Sequence, residues 1–580
     1  MTFQPKLSLS DITFSSGQTL QLSDQHKVLI VGPNNSGKSQ SIRDIMTILT
    51  ETNCDPTVVK DINIKRNFDG NQLEKYLIDN ATLKNHAYHL GSARVQTLHV
   101  NPSFNIKTLR SATGIFFKSI NAKERLNICE QQDSIDLEDA KTVPQHILYD
   151  DESLMNYVSD IFRKAFNKDL AFDYRAGKSI PIYLIEKDEL SGIPNKVSNE
   201  YIEKLRKFPL LDQQGDGVKS YAGILFETIA YRYQVTMIDE PEAFLHPPQM
   251  RRLAQTLAEE VSGQLIIATH SSDILKGFLE GTRGDLTVLR LTRDGNVNCI
   301  HELNQSAIRE LWSKPNLRYS NALDAIFHEQ VIICEDSSDC RLFNYVADYL
   351  VNSQGKVYPD TCYVPTGGKH AISGIAEALR ASGVPVKAIF DFDLISERNT
   401  LNKTLDAFGC SIENKEILLD KWKRINSEVV GQNKSITADN FKVKILDFIK
   451  DLPAKDISKG KIDELFKQKK PWSGVKSHGV DGLPKGSIRQ VFKEFNEGLM
   501  QLGIFLIPVG EIENFSAETG LHGPSFVEKF LSERNVADTE LDGLRNFVDE
   551  VYSAKSPSLA SSNENQGCGD KMATEMANNG

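Results

Sequence analysis

The sequence predicts an α/β protein whose strands form parallel sheets. Short apolar runs recur along the chain, each about as long as a strand, and most of them end in glycine, an acidic residue or histidine. Apolar residues at helical spacing follow several of these runs, which is typical of alternating strands and helices. The clearest runs are residues 26–32, 235–238, 265–269, 330–334 and 386–390. Because 580 residues exceed what one hydrophobic core usually organises, we expect at least two domains.

Composition excludes several classes of protein. The chain is 40% hydrophobic and 25% charged, no apolar run approaches the roughly 20 residues that span a bilayer, and the first residues lack a secretory pattern. The eight cysteines form no Cys-x-x-Cys pair, which argues against a zinc ribbon and a disulfide framework. A net charge of −11 does not exclude a nucleic-acid partner, because local patches decide such binding. We expect a cytoplasmic protein with reduced thiols and no membrane partner.

The most specific motif is a complete phosphate loop between a predicted strand and a predicted helix. Its glycines allow backbone amides to turn toward phosphates, Lys38 can reach the β and γ phosphates, and the Ser39 hydroxyl can ligate magnesium. The loop consists of Gly32, Pro33, Asn34, Asn35, Ser36, Gly37, Lys38 and Ser39. This pattern predicts a nucleotide-binding site.

Two further strands end in residues suited to nucleotide hydrolysis. The run 235–238 leads into Asp239 and Glu240, of which the first would contact Mg²⁺ and the second would act as general base. The run 265–269 ends at His270, which is predicted to sense the γ-phosphate. An isolated histidine at such a position would more often be structural.

These motifs resemble the ABC-type ATPase heads of chromosome-maintenance and recombination proteins, over about residues 1–315. In that family ATP lies between the phosphate loop of one head and the signature segment of a second head, which implies a homo-oligomer that is at least a dimer. The signature candidate is 215–221, with Gly217 and Ser220, although it departs from the usual Leu-Ser-Gly-Gly-Gln wording. Residues 60–210 are predicted to be a helical and irregular insertion without a long heptad run.

The second half of the chain carries acidic residues after successive predicted strands. Glu335 follows the run 330–334, and Asp339 falls in the first turn of the next helix. Asp391 and Asp393 follow the run 386–390, and alternation along a strand would place both on one face. Carboxylates that meet at strand ends provide the oxygen ligands that Mg²⁺ prefers.

This succession resembles the Toprim fold of topoisomerases, primases and the overcoming-lysogenization-defect (OLD) nucleases, a parallel-sheet α/β domain. The resemblance implies two Mg²⁺ ions, or Mn²⁺, that activate water for attack on a phosphodiester. A bacterial-type primase usually has a zinc ribbon, and a topoisomerase needs a large strand-passage body, for which the chain has little room. An ATPase head joined directly to a Toprim domain is the OLD arrangement, and it covers about residues 1–535.

The OLD resemblance also implies a late metal-binding glutamate and a lysine that stabilises charge at the cleaved phosphate. Glu511 fits the glutamate, because it follows the apolar run 503–509, and Glu513 shares its face. Lys529 and Lys476 are both candidates for the lysine, and either could be a solvated surface residue. The insertion 403–500 is lysine-rich and includes Trp422 and Trp472, so it could hold a nucleic-acid backbone and stack bases, or form a solvated helix.

The expected layout is an ABC-type P-loop head with a helical insertion, followed by a Toprim domain with a helical insertion. We expect the head over 1–315, a linker over 316–328, the Toprim domain over 329–535, a C-terminal helix over 536–555 and a disordered tail over 556–580.

The expected function is that of an ATP-regulated, metal-dependent DNA endonuclease of the OLD type, acting in anti-phage defence. The resemblance extends to a partner such as a retron reverse transcriptase with its reverse-transcribed DNA, or a helicase-like protein. Two alternatives stay open. One is an ATP-dependent DNA-binding clamp or damage sensor with an inactive Toprim site, and the other is a nuclease directed at RNA.

Overall fold

The described residues form two compact units, one within residues 3–303 and the other within residues 322–555. The computed structural model describes residues 3–51, 53–91, 93–100, 106–136, 138–282, 286–303, 322–431, 438–450, 471–516 and 521–555. The predicted tail, 556–580, and the first part of the predicted linker, 316–321, lie outside these residues. In the remainder of that linker, Asp324–Phe327 form a 3-10 helix with three buried side chains.

The first unit contains strands and helices in mixed order. The strands are β1 (Leu7–Phe14), β2 (Thr19–Gln21), β3 (Lys27–Val31), β4 (Val59–Arg66), β5 (Thr82–Lys84), β6 (Ala87–Leu90), β7 (Ala93–Gln96), β8 (Phe117–Ile120), β9 (Gln132–Asp133), β10 (Lys168–Phe172), β11 (Ser179–Ile180), β12 (Ile182–Glu186), β13 (Val235–Asp239), β14 (Gln264–Ala268), β15 (Leu286–Asp294) and β16 (Val297–Glu302). The helices are α1 (Lys38–Thr50), α2 (Gly70–Asn80), α3 (Ile106–Phe116), α4 (Ala122–Ile128), α5 (Pro144–Asp150), α6 (Glu152–Phe166), α7 (Asn199–Leu205), α8 (Asp216–Ala230), α9 (Pro247–Glu260) and α10 (Ser272–Gly281), with a 3-10 helix at Thr97–His99.

A six-stranded sheet organises this unit in the order β16-β15-β3-β14-β13-β8. All neighbouring pairs are parallel except β15 and β16, which form an antiparallel hairpin. The strands that precede the phosphate loop, the histidine and the Asp-Glu pair are therefore adjacent, as β3, β14 and β13. Because the carboxyl ends of parallel strands meet at one edge, the fold brings these three motifs together.

A smaller antiparallel sheet, β2-β1-β4, is joined to the large sheet by side-chain amides. Gln264 accepts a hydrogen bond from the Leu9 amide at 2.9 Å and donates to the Leu9 carbonyl at 2.7 Å, so it reproduces a backbone pair. The core of the unit includes apolar side chains of both sheets and of α1. The predicted insertion of residues 60–210 is not wholly separate from the head, because β8 lies within it and pairs with β13 in the large sheet.

The second unit is also built around a parallel sheet. Its strands are β17 (Gln330–Cys334), β18 (Thr361–Pro365), β19 (Val386–Phe390) and β20 (Ile504–Leu506). Its helices are α11 (Ser337–Gln354), α12 (Lys369–Ala381), α13 (Arg398–Ala407), α14 (Ile412–Gly431), α15 (Ala438–Lys450), α16 (Ser473–His478), α17 (Ser487–Gln501), α18 (Pro524–Glu533) and α19 (Asp542–Ser553). Further 3-10 helices span Phe392–Ser396, Gly479–Gly482, Ile512–Phe515 and Thr539–Leu541.

The four strands lie in the order β18-β17-β19-β20, and every neighbouring pair is parallel. A buried apolar cluster joins this sheet to α11, α18 and α19. The predicted α/β class is therefore confirmed in both units. Among the described residues, no helix combines the length and apolar character needed to cross a membrane.

Candidate functional site

The phosphate loop connects β3 to α1, and two of its glycines have backbone angles that favour glycine. Gly32 has φ of 137° and Gly37 has φ of 98°. A Cβ atom at Gly32 would lie 2.2 Å from the carbonyl oxygen of Leu291, so a larger residue would displace β15 or the loop. The loop runs into the amino end of α1, where backbone amides and the helix dipole favour a bound anion.

Lys38 is held inside the loop. Its Nζ donates to the carbonyl oxygens of Gly32 and Pro33, both at 2.8 Å, and only 3% of the residue is exposed. Burial lowers the pKa of Lys38 to about 8, while Glu240, Glu242 and Asp239 act in the opposite direction. The ammonium group is thus next to the amides that would hold the phosphates of a nucleotide.

Asp239 offers an oxygen that suits a cation. The Ser39 hydroxyl hydrogen-bonds its carboxylate, and burial raises its pKa. The Oδ1 atom is buried and has no hydrogen-bond partner among the described residues. A serine hydroxyl beside a carboxylate with a free oxygen is the donor set that Mg²⁺ takes together with phosphate oxygens. Ser39 and Asp239 therefore fit the Mg²⁺ that accompanies a nucleotide.

Glu240 and His270 face each other across the ends of β13 and β14. Oε1 of Glu240 lies 3.4 Å from Nε2 of His270. Glu240 has left-handed backbone geometry, with φ of 47°, and its amide donates to the Ala268 carbonyl at 2.9 Å. Burial, and then the charge of Lys38, lowers the pKa of His270, so its ring is neutral at neutral pH. A half-exposed carboxylate beside a neutral imidazole can bind and deprotonate a water molecule.

Two residues at this site were not predicted from the sequence. The backbone amide of His270 donates to Oε1 of Glu242 at 2.6 Å, so Glu242 fixes the histidine loop. Arg125 is fully buried, and its guanidinium donates to the carbonyl oxygens of Asp239 and Glu240 at 3.1 and 2.7 Å. Arg125 follows β8, whose sequence Phe-Lys-Ser-Ile lacks the apolar run that marks β13 and β14, so the sequence carried no clear signal for this strand.

The signature candidate begins α8. Gly217 lies in the first turn, where a Cβ atom would come within 2.6 Å of the Phe244 carbonyl oxygen. Ser220 is completely buried, and its hydroxyl donates to the Ala243 carbonyl at 3.3 Å. In this conformation the Ser220 side chain packs inside the first unit, and its contact with nucleotide stays a prediction. Gly217 is half-buried, and its part in nucleotide binding stays a prediction.

In the second unit, acidic residues converge at the carboxyl edge of the sheet. Oε1 of Glu335 accepts a hydrogen bond from the Asp391 amide at 3.1 Å, across the ends of β17 and β19. Asp339 lies in the first turn of α11, and its Oδ2 accepts from the Asp336 amide at 3.0 Å. The charges of Glu335, Asp339, Glu511 and Asp393 all act on the carboxyl group of Asp391.

Three carboxyl groups of the cluster are difficult to ionise, whereas the pKa of Asp393 is lowered, because its burial is outweighed by the hydrogen bonds and charges of Lys369 and Lys476. Burial, and then the charges of the neighbouring carboxylates, raise the pKa of Asp391 to about 8. Burial also raises the pKa of Asp339 to about 7, and it raises the pKa of Glu335. Buried like charges disfavour one another unless a cation balances them.

Short-range geometry differs from the prediction at two acidic pairs. Strand β19 ends at Phe390, and Asp393 lies in the following 3-10 helix, so strand alternation does not bring Asp391 and Asp393 together. A hydrogen bond of 2.9 Å from the Phe392 amide to the Gly510 carbonyl instead holds this turn beside the Glu511 loop. Likewise β20 ends at Leu506, and Glu511 precedes a 3-10 helix that contains Glu513.

Glu513 lies at the margin of the cluster. Its Oε1 accepts a hydrogen bond from the Gly523 amide at 2.7 Å. Glu511, Glu513 and His522 present ligand atoms that all lie within 4.8 Å of one another. Glu513 could therefore share a cation with Glu511.

Two lysines contact the acidic residues directly. Lys476 Nζ lies 3.2 Å from Oδ2 of Asp393 and 3.1 Å from Oε1 of Glu511. Lys369 Nζ lies 2.9 Å from Oδ1 of Asp393 and 2.9 Å from Oε1 of Glu397. Neither Lys369 nor Glu397 was predicted as a site residue, although Lys369 follows the glycine pair that ends the loop after β18.

The prediction of Lys529 as a catalytic lysine is not supported by its surroundings. Lys529 lies on α18, and its Nζ is 3.9 Å from Glu533, one helical turn away. Of the two candidates, Lys476 is the one that contacts the acidic residues. Lys476 lies on α16, and the residues after this helix are attached beyond the end of β20, because the Val480 amide donates to the Pro508 carbonyl at 2.9 Å.

Base stacking by Trp422, one of the two alternatives for the insertion, is not supported by its surroundings. Trp422 is buried, and its indole Nε1 donates to the Ile395 carbonyl at 2.7 Å, while the Arg398 guanidinium lies 5.9 Å from its ring centroid. Trp472 is half-buried and donates to Oδ1 of Asn426 at 3.0 Å. Helix α14 thus uses Trp422 to attach the insertion to the sheet domain.

Fold and site together define the first unit as a P-loop ATPase domain. The family model described as "AAA domain, putative AbiEii toxin, Type IV TA system" matches residues 142–276, which include Asp239 and His270. An OLD nuclease of Thermus scotoductus is 28% identical over 205 residues. That alignment covers 32% of this chain and 37% of the relative, so the chain spans little more than a third of the relative's length.

Together these two sequence matches support an OLD-family ATPase, and neither of them supports a link to retrons. Solved structures with similar folds include the SMC head domain of Thermotoga maritima, at 15% identity and a TM-score of 0.30. That similarity covers 52% of this chain and all of that one. The Smc head domain of Pyrococcus furiosus, with 10% identity and a TM-score of 0.32, covers 53% of this chain and is itself covered to 99%. At these TM-scores the two structures say nothing about activity or partners.

Proposed function

We propose that this protein is an ATP-regulated, metal-dependent DNA endonuclease of the OLD type. The observation that carries the proposal is the convergence of acidic residues at one edge of the second unit's sheet, in a chain that also contains a P-loop ATPase domain. The acidic residues are Glu335, Asp339, Asp391, Asp393 and Glu511. They follow neighbouring parallel strands in the order that a Toprim domain has.

The donor set fits divalent cations. Carboxylate oxygens are the ligands that Mg²⁺ and Mn²⁺ prefer, and buried carboxyl groups with raised pKa values gain most from a bound cation. Glu335, Asp339, Asp391, Asp393 and Glu511 would hold two ions, and Glu513 would assist at the margin. When bound, such ions activate water and stabilise the charge that develops on the cleaved phosphodiester.

The protein's own residues then have separate roles. Asp393 and Glu511 would hold a cation in place of their ammonium partner, Lys476. The Lys476 ammonium would then stabilise the negative charge of the reacting phosphate. Lys369 stays between Asp393 and Glu397 and keeps Asp393 oriented, because its side chain is largely buried and bridges both carboxylates.

In the ATPase unit, the loop from Gly32 to Ser39 would bind the phosphates, including the amides of Asn34, Asn35 and Ser36. Ser39 and Asp239 would hold Mg²⁺. Glu240 accepts a proton from the attacking water, and the neutral His270 contacts the γ-phosphate and the Glu240 carboxylate. Gly217, at the start of α8, would approach the nucleotide of a second copy, so that ATP promotes a dimer of heads.

The wider roles are part of the same proposal. ATP binding controls assembly or access at the nuclease site, the substrate is DNA, and the cell uses the activity against phage. The partners implied by the resemblance, a retron reverse transcriptase with its DNA or a helicase-like protein, stay predictions, as does the cytoplasmic location.

Cleavage of supercoiled plasmid by the full chain and by Asp391→Ala tests the proposal. Each protein is incubated with Mg²⁺ or Mn²⁺, with and without ATP, and an RNA of similar length is tested in parallel. Metal-dependent nicking that disappears in Asp391→Ala supports the nuclease and shows the direction of ATP control. DNA binding without cleavage in every condition would favour the clamp, and cleavage of RNA alone would favour the RNA-directed nuclease.

A further inference from the structure

Arg125 holds the backbone of the two acidic residues that serve ATP hydrolysis. It lies on α4, directly after β8, and none of its surface is exposed. One guanidinium nitrogen donates to the Asp239 carbonyl at 3.1 Å and another donates to the Glu240 carbonyl at 2.7 Å. Two successive carbonyl groups are therefore bound by one planar cation.

The geometry of Glu240 depends on such support. Its φ of 47° is left-handed, a conformation that is unfavourable for a residue with a Cβ atom. The peptide on its amino side is fixed by the hydrogen bond to Ala268, and the peptide on its carboxyl side is fixed by Arg125. With both peptides fixed, the Glu240 side chain leaves the backbone in the direction of His270.

The same segment is tied to α8, the helix that begins with the signature candidate. At Gly223 a Cβ atom would lie 2.1 Å from the Arg125 carbonyl oxygen, so the two backbones touch. Lys118 on β8 pairs with the buried Glu227 on α8 at 3.2 Å, and the Cys129 thiol donates to the Lys219 carbonyl at 3.1 Å. Displacement of α8 therefore moves Arg125.

From these contacts we infer that Arg125 is a positioning residue for ATP hydrolysis, which orients the Glu240 carboxylate and transmits movement of α8 to it. The inference rests on the proposed role of Glu240 as general base. Arg125 touches neither nucleotide nor water in this role, and it acts through the carbonyl groups of Asp239 and Glu240.

Arginine is suited to this task and lysine is not. The guanidinium is planar and has several donors in fixed directions, so it can hold two neighbouring carbonyl groups at once. Burial lowers the pKa of Arg125 to about 10, while the charges of Glu242, Asp239 and Glu240 raise it, so the side chain stays charged at neutral pH. A lysine would retain the charge but could not hold both carbonyl groups with donors in fixed directions.

Arg125→Lys in the full chain tests the inference. The measurements are the ATP dissociation constant, single-turnover hydrolysis with protein in excess, and the melting temperature. We expect hydrolysis to slow by about tenfold or more while the ATP Kd changes by less than about threefold. Equal changes in hydrolysis and binding, or an unchanged hydrolysis rate, would overturn the inference.

Arg545→Lys is the matched control. Arg545 is also a buried arginine whose guanidinium donates to two backbone carbonyl groups, those of Val536 and Asp538, but it belongs to the second unit. Its substitution should lower the melting temperature without a selective loss of hydrolysis. A selective loss in Arg545→Lys as large as that in Arg125→Lys would count against a specific role for Arg125.

A double-mutant comparison shows whether Arg125 affects hydrolysis through Glu240. In a Glu240→Gln background, Arg125→Lys should cause little additional loss, because its route through Glu240 is already removed. An undiminished loss in that background would refute this route. Normal hydrolysis by Glu240→Gln alone would instead refute the assignment of Glu240 as the base, so the two failures are distinguishable.

A second variant leaves Arg125 in place. The side chain of Asn121 caps α4 by accepting hydrogen bonds from the amides of Lys123 and Glu124. Asn121→Ala should loosen the turn that carries Arg125 and slow hydrolysis by a few-fold, with ATP affinity preserved. If Arg125→Lys does not fold, the hydrolysis rate of Asn121→Ala tests the inference in its place. A rate equal to that of the wild type would overturn the inference.

Discussion

The amide of Asp391 donates a hydrogen bond of 3.1 Å to Oε1 of Glu335, and this contact joins the carboxyl ends of β17 and β19. Asp391 is separated from Glu335 by 56 positions in sequence, yet its backbone orients the Glu335 carboxylate. The Lys369 amide also hydrogen-bonds the Glu335 carboxylate, so backbone groups from two later segments orient it. Acidic side chains from two strands are thus held close together, and the effect of a cation on them can be measured.

Divalent cations should stabilise the second unit. The buried carboxyl groups repel one another, so an ion that binds the folded unit alone raises its stability by about 2.7 kcal/mol at a concentration of about 100 times its Kd. We expect Mn²⁺ to raise the melting temperature of the wild type by several degrees. Asp391→Asn should lose most of this response and should melt no lower than the wild type in EDTA, because a pKa of about 8 leaves the Asp391 carboxyl group mostly protonated, and as neutral as an amide, at neutral pH without metal. A much lower melting temperature of the variant in EDTA would contradict this account. Calorimetry of the full chain, with and without EDTA, makes the measurement.

The two candidate lysines should behave differently. Lys476→Met removes the ammonium that competes with a cation for Asp393 and Glu511, so Mn²⁺ should bind more tightly while cleavage falls by about a hundredfold. Lys529→Met is the control, because Lys529 pairs with Glu533 on the surface of α18. Calorimetric titration of Mn²⁺ and plasmid cleavage measure the two effects. Loss of cleavage in Lys529→Met with retention in Lys476→Met would reverse the assignment.

Nucleotide binding and hydrolysis should be separable in the first unit. Lys38→Ala should abolish both, because the loop loses its buried cation, whereas Glu240→Gln should bind ATP and hydrolyse it at least about a hundredfold more slowly. Asp391→Ala should leave hydrolysis largely unchanged. Nucleotide affinity and phosphate release measured on the same preparations would distinguish these variants, and normal turnover by both Lys38→Ala and Glu240→Gln would place the ATPase site elsewhere.

Lys387 should give the second unit a measurable dependence on alkaline pH. Its Nζ donates to the carbonyl oxygens of Val551 and Tyr552 at 2.8 and 3.2 Å, at the end of α19, and burial lowers its pKa from 10.5 to about 8. Between these two values the unfolded chain holds a proton that the folded chain has released, so stability rises with pH in that window.

Lys387→Met removes this titration and serves as the reference. The difference in unfolding free energy between wild type and Lys387→Met should shift in favour of the wild type as the pH rises from 8 to 10.5. Urea unfolding at several pH values measures that difference. A constant difference across the window would show that the folded pKa of Lys387 is not lowered.

The sequence was sufficient for the α/β class, for the phosphate loop and for the acids that follow β13, β17 and β19. These are local patterns, because a short apolar run predicts a buried strand and its next residues fall at the carboxyl edge of a parallel sheet. Because the phosphate loop lies in the first half of the chain and the clustered acids lie in the second half, the sequence also predicted two units, one for nucleotide hydrolysis and one for phosphodiester cleavage. None of this required knowledge of which strands are neighbours.

The tertiary structure alone decided which distant residues complete each site. Arg125 lies 114 positions before Asp239 and contacts it only because β8 pairs with β13, a strand order that no local pattern encodes. The contact between Lys476 on α16 and Glu511 depends on packing between distant segments, as does the burial of Ser220 and Trp422. Local propensity determines strands and turns, whereas contacts between distant segments follow from how the whole chain buries its apolar surface.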